Sequence, residues 1–126
     1  MVARILAGLA GLMMGLSSIN WLIDPAAAAT SLGMPLLEGM GRSTQVGDFT
    51  AFFVCCSGFA LWAAWKQSAA FAVAAAALLF GAAVFRTLAY LVHGAEFATN
   101  FILIEAVLGG FLVYAATAFN RSPDQT

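Results

Sequence analysis

Between Gly81 and Glu105 the chain reads GAAVFRTLAYLVHGAEFATNFILIE, an arginine, the only histidine and two glutamates set among residues that are almost all apolar. Ionised side chains are costly in such surroundings, and where they occur they are paired or serve a function. Arg86, Tyr90 and His93 stand at i, i+4 and i+7, which is one face of a helix. Glu105 offers a carboxylate that suits the fork of an arginine, and Asp48 offers a second acid upstream. Asp48, Arg86, Tyr90, His93 and Glu105 are therefore the candidate polar cluster. Three chemistries are open to it: a buried ion pair that fixes helix register, a pocket for a polar headgroup, quinone or other small ligand, and a catalytic or proton-handling site. The first has the largest weight and the last the smallest. For His93 alone, a histidine reaching water at the membrane interface outweighs a ligand or base. Metal binding by His93, Glu96 and Glu105 is disfavoured, because zinc-type centres use more nitrogen or sulfur ligands. A single histidine excludes bis-histidine haem within one chain, and no cofactor is expected.

The elements that must position these groups follow from composition. Of 126 residues, 63% are hydrophobic and 9% charged, with mean hydropathy +0.94. A soluble domain carries roughly a quarter charged residues, so lipid must cover this surface. The expected fold is all-α: one domain, an integral membrane four-helix bundle running up-down-up-down. The formal net charge is −1 and no basic run is present, which argues against nucleic acid as a partner. Cys55 and Cys56 are adjacent, which matches neither a disulfide framework nor a metal-ligand spacing. Buried thiols are ordinarily inert, so both are read as small packing groups.

Four apolar runs are each long enough to cross about 30 Å of hydrocarbon as a helix: residues 2–23, 45–65, 69–93 and 99–119. The first resembles a signal peptide in having Arg4 before an apolar core and alanines after it, but it is long for a signal core and is expected to be retained. Gly8, Gly11 and Gly15 share a face of it and allow close approach of a neighbouring helix, within the bundle or in a dimer. Asp24-Pro25 ends it. Residues 26–44 read as a connector too apolar for a solvated loop, lying in the interface or folding over the bundle mouth. Ser43 or Thr44 is the expected cap of the second span, with Asp48 in its first turn, where the helix dipole favours an anion. Trp62, Trp65 and Lys66 mark an interface. Gly94 is the expected C-terminal cap of the third span, and residues 120–126 form a polar tail.

Arg4, Lys66 and Arg121 fall at one end of such a bundle and Arg42 at the other, a bias that puts both termini in the cytoplasm. Arg86 lies seven residues before His93, and Glu105 seven after Ala98. Both are then about 10 Å below the outer boundary, in antiparallel neighbours, and are expected to meet.

The sequence of landmarks is a first span ending in WLIDP, then Asp48, Arg86, Gly94 and Glu105. In this it resembles the small bacterial four-helix inner-membrane proteins of the DoxX-like kind, in particular an uncharacterised domain-of-unknown-function group of about this length. The resemblance covers nearly the whole chain and implies a four-helix bundle in the bacterial inner membrane, without implying an activity. That group often carries an arginine two residues after the helix-two acid. This chain has Thr50 there and departs from the pattern.

The leading functional expectation is a non-catalytic accessory or packing subunit, with the lipid bilayer and other membrane subunits, or a second copy, as its partners. The alternative is a quinone- or small-ligand-binding redox helper built on the polar cluster. A small transporter ranks third. Small multidrug resistance transporters have four helices in a chain of this size but carry an essential acid in the first, and residues 1–23 contain none.

Overall fold

A computed structural model describes residues 1–121; the polar tail read from the sequence lies, from residue 122 onward, outside them. The described residues form five helices and no strand: α1 (Val2–Ile23), α2 (Pro25–Ser31), α3 (Gly39–Lys66), α4 (Ala69–His93) and α5 (Thr99–Asn120). All but α2 are long and apolar enough to cross a membrane, and the chain is a multi-pass membrane protein with an all-α four-helix bundle.

Asp24 both ends α1 and starts α2. Its backbone leaves helical geometry ahead of Pro25. Its N–H donates to the Asn20 carbonyl at 2.8 Å, while its carboxylate accepts from the Ala27 N–H at 3.0 Å. With proline at the first helical position and four alanines following, a helix is the favoured local structure. The connector thus opens with a short helix.

The second crossing helix also differs from expectation. It starts at Gly39, not residue 45, with Glu38 as its N-cap and no side-chain cap. Ser43 and Thr44 are inside the helix, and Asp48 falls in its third turn. The dipole argument for Asp48 therefore fails, since that effect dies away beyond the first turn. At 28 residues, α3 is about 42 Å long, so one end extends beyond the hydrocarbon. Gly94 closes α4 in the left-handed conformation (φ 66°), as expected.

The four long helices form a ring, α1 against α3, α3 against α4, α4 against α5, and α5 back against α1. Contacts between residues at opposite ends of the numbering show that neighbours are antiparallel. Arg4 Nε donates to the Ala64 carbonyl at 3.0 Å, whereas Trp21 stacks on Phe49 at 5.0 Å. Phe59 meets Phe71, and Arg86 meets Glu105. The core between the helices is largely alanine, with Leu79, Leu108, Leu112 and Phe119 filling the wider spaces. Small side chains let helix backbones approach, which is how helices associate where lipid removes the hydrophobic driving force. Gly11 shows this at its tightest, since a Cβ there would lie 2.7 Å from Leu61 Cγ and 3.0 Å from the Leu61 backbone nitrogen. The Ser57 hydroxyl donates to the Gly11 carbonyl at 2.7 Å. Gly11 and Gly15 thus serve internal packing, while Gly8 faces open space.

A second, smaller core closes the end that carries the connector. Trp21, Ala28 and Ala29 are buried there against Leu32, Met34, Leu36, Val46, Phe49 and Phe53. The connector folds over this end of the bundle and is pinned by Gln45, which donates from Nε2 to the Pro35 carbonyl at 3.0 Å and accepts at Oε1 from the Leu37 N–H at 2.9 Å.

Candidate functional site: a charged cleft between three helices

The short link between α4 and α5 makes the two helices neighbours, and their lengths put residue 86 level with residue 105. Arg86 Nε donates to Glu105 Oε1 at 2.9 Å, the expected ion pair. The guanidinium carbon also lies 4.9 Å from the centre of the Phe101 ring, so an aromatic face supports the cation from α5. Glu105 is buried, at 8% exposure. Its Oε2 atom is buried as well and has no hydrogen-bond partner. Buried acceptors of this kind are uncommon, and each calls for a physical explanation.

A cleft of about 300 Å³ opens beside the pair, lined by Asp48, Phe49, Phe52 and Phe53 of α3, Ala82 and Arg86 of α4, and Glu105 of α5. The later start of α3 explains how Asp48 comes to this level. It is a third-turn residue inside the helix, not a group at its mouth. Asp48 has no ion-pair or hydrogen-bond partner among the described residues. Two carboxylates thus face one guanidinium, and the cleft has an unanswered negative charge.

Tyr90 and His93 are not brought into the cleft. Tyr90 packs edge-on against Phe97 of the α4–α5 link, with ring centres 5.3 Å apart. His93 is the exposed last residue of α4. Sharing a face at i, i+4 and i+7 was not enough, because Arg86 turns to α5 while Tyr90 meets the link. Among the described residues no group of three or more histidine, cysteine or acidic side chains converges to hold a metal ion. Cys55 is exposed and Cys56 buried, and both are free.

Sequence reasoning missed the three phenylalanines that wall the cleft and Gln45, which pins the connector beside it. Phe49, Phe52 and Phe53 read as ordinary apolar filling. Gln45 had a usable signal, as an amide at the boundary between an apolar connector and an apolar span. No family model, no curated protein and no solved structure matches this chain. Fold and site together therefore define only a class: a four-helix membrane protein with a charged, aromatic-walled cleft near one end.

Proposed function

We propose that this is a small non-catalytic protein of the bacterial inner (cytoplasmic) membrane, of the DoxX-like kind, that acts as an accessory component by holding a small ligand in the cleft of Asp48, Arg86 and Glu105. The observation that carries this reading is Glu105 Oε2, a buried acceptor with no partner beside an open cleft. A pair that served only to fix register would be better built with both carboxylate oxygens engaged, since an unmade hydrogen bond in the interior costs about 1–3 kcal/mol. The membrane and the inside position of both termini rest on the DoxX-like resemblance and on the placement of Arg4 and Lys66 at the end opposite the connector.

Purification in native lipid discs followed by mass spectrometry tests the reading. The wild type is expected to carry a small molecule, and a protein neutral at all three charges of the cleft, Asp48→Asn/Arg86→Met/Glu105→Leu, is expected to fold without it. A wild-type preparation with no such molecule overturns the proposal. A second reading, packing against another membrane subunit or a second copy, is favoured by a shallow apolar groove of Ala83, Val84, Thr87, Leu88, Leu91 and Ile102 on α4 and α5. A co-purifying subunit whose binding is lost on Leu88→Arg supports that reading instead.

A further inference from the structure

We infer that the ligand is an amphiphilic organic cation, a free single-chain amine whose ammonium head is held by Asp48 and whose apolar body lies in a groove beneath the connector. This rests on the ligand-binding reading of the cleft and names the class of molecule. The charge of Arg86 is answered by Glu105 at 2.9 Å, so the guanidinium is already committed. Asp48 is the charge left over, with no ion-pair partner among the described residues. It lines the same cleft as Arg86, which stands seven residues, about 10 Å, inside the end of α4. A carboxylate without a partner in a cleft walled by phenylalanines is expensive unless a cation comes to it. The cleft walls favour an organic cation over a hydrated metal ion, since Phe49, Phe52 and Phe53 offer aromatic rings to an ammonium.

The place for the apolar body adjoins this cleft. Asp48 and Phe49 also line a second cleft of about 430 Å³, shared with Met34, Leu37 and Met40. Asp48 and Phe49 line both hollows, so a charged lining and an apolar lining adjoin at these two residues. Each has a volume usual for a small-molecule site, about 300–1,000 Å³. The methionines suit an apolar chain without fixed shape, because their unbranched thioethers repack easily. Gln45 fixes the connector above this arm through its bonds to Pro35 and Leu37.

Trp21 reports on the junction because its ring stacks on Phe49, 5.0 Å away and within 4° of parallel. The full chain carrying Trp62→Phe and Trp65→Phe retains Trp21 as its one tryptophan. In phosphatidylcholine discs it is titrated with decylamine, decanol and decyl sulfate, which share a chain and differ in head charge, against discs without protein. Decylamine is expected to change Trp21 emission saturably, with an apparent Kd at least tenfold below those of the other two. Asp48→Asn is expected to weaken decylamine at least tenfold and leave decanol unchanged. Asp48 is exposed on the fold, so this variant should assemble normally. Met40→Arg keeps Asp48 and provides a second check, with decylamine weakened and decyl sulfate strengthened. Decanol or decyl sulfate binding as tightly as decylamine overturns the cation assignment while leaving the cleft a ligand site, as does decylamine binding unmoved by both variants. No saturable response to any of the three also overturns it, and the ligand reading itself falls only if native discs yield no bound molecule either.

Discussion

At the residue scale the ion pair of Arg86 and Glu105 is the group with most at stake. Removing one partner strands the other in low dielectric, and breaking a buried pair costs about 3–5 kcal/mol. The Arg86 side chain retains 29% exposure, so the lower end applies. Arg86→Ala and Glu105→Ala are each expected to lower the unfolding midpoint in detergent, and Arg86→Met/Glu105→Leu to recover most of the loss. Single and double effects that simply add would mean the two side chains do not couple. Gln45 has a different role, since its amide satisfies a backbone donor and a backbone acceptor of the connector. Gln45→Leu leaves both unmet, and because the bonds are only part-buried the loss falls at or below the lower end of the about 1–3 kcal/mol a buried unmade bond costs. Faster amide exchange at Leu37, with α1 and α5 unchanged, is the expected signature.

At the element scale the α1–α3 contact turns on Gly11. A methyl group there meets the Leu61 backbone nitrogen at 3.0 Å, which a side-chain rotation cannot relieve. Gly11→Ala is therefore expected to destabilise by about 1–3 kcal/mol, the usual cost of overpacking. Gly8, one turn away on the same helix, has open space at its Cβ position. Gly8→Ala is expected to be neutral or to stabilise by up to about 1 kcal/mol, the helix propensity difference. Thermal unfolding of the two variants in one detergent makes the comparison, and equal effects would refute close packing at Gly11. The paired tryptophans at the other end of α3 have a matching logic. Lys66 Nζ lies 4.3 Å from the Trp65 ring centre, which keeps the ammonium at the interface beside an aromatic anchor.

At the scale of the whole molecule, the ring of antiparallel helices puts Lys66 and Glu38, the two ends of α3, on opposite sides of the bilayer. In a chain with Cys55 and Cys56 replaced by alanine, Lys66→Cys is expected to react with an impermeant thiol reagent only from the cytoplasmic side and Glu38→Cys only from outside. Labelling from the reverse sides would invert the orientation, and labelling of both from one side would refute a crossing α3. The alanine replacements should themselves be nearly silent in folding. Cys55 is exposed, and the Cys56 thiol makes only a long contact of 3.8 Å to the Ala75 carbonyl.

The sequence by itself determined the four crossing helices, because a continuous apolar run needs no partner to declare itself to lipid. It also determined the meeting of Arg86 and Glu105, since a short link and a fixed rise per residue set the level of both groups on neighbouring helices. The left-handed end of α4 at Gly94 was legible for a similarly local reason, that only glycine adopts it without cost. Where α3 begins was not legible. Residues 39–44 have glycines and small polar groups that read as loop, but they are helical, and Arg42 Nε donates from them to the Leu37 carbonyl of the connector at 2.8 Å. That shift moved Asp48 from a helix mouth into a cleft. Which polar residues converge was likewise decided by tertiary structure. Helical spacing puts Arg86, Tyr90 and His93 on one face, but whether each meets a helix, a link or open surroundings depends on the neighbour at that height. Arg86 found Glu105, Tyr90 found Phe97, and His93 lies past the packed region.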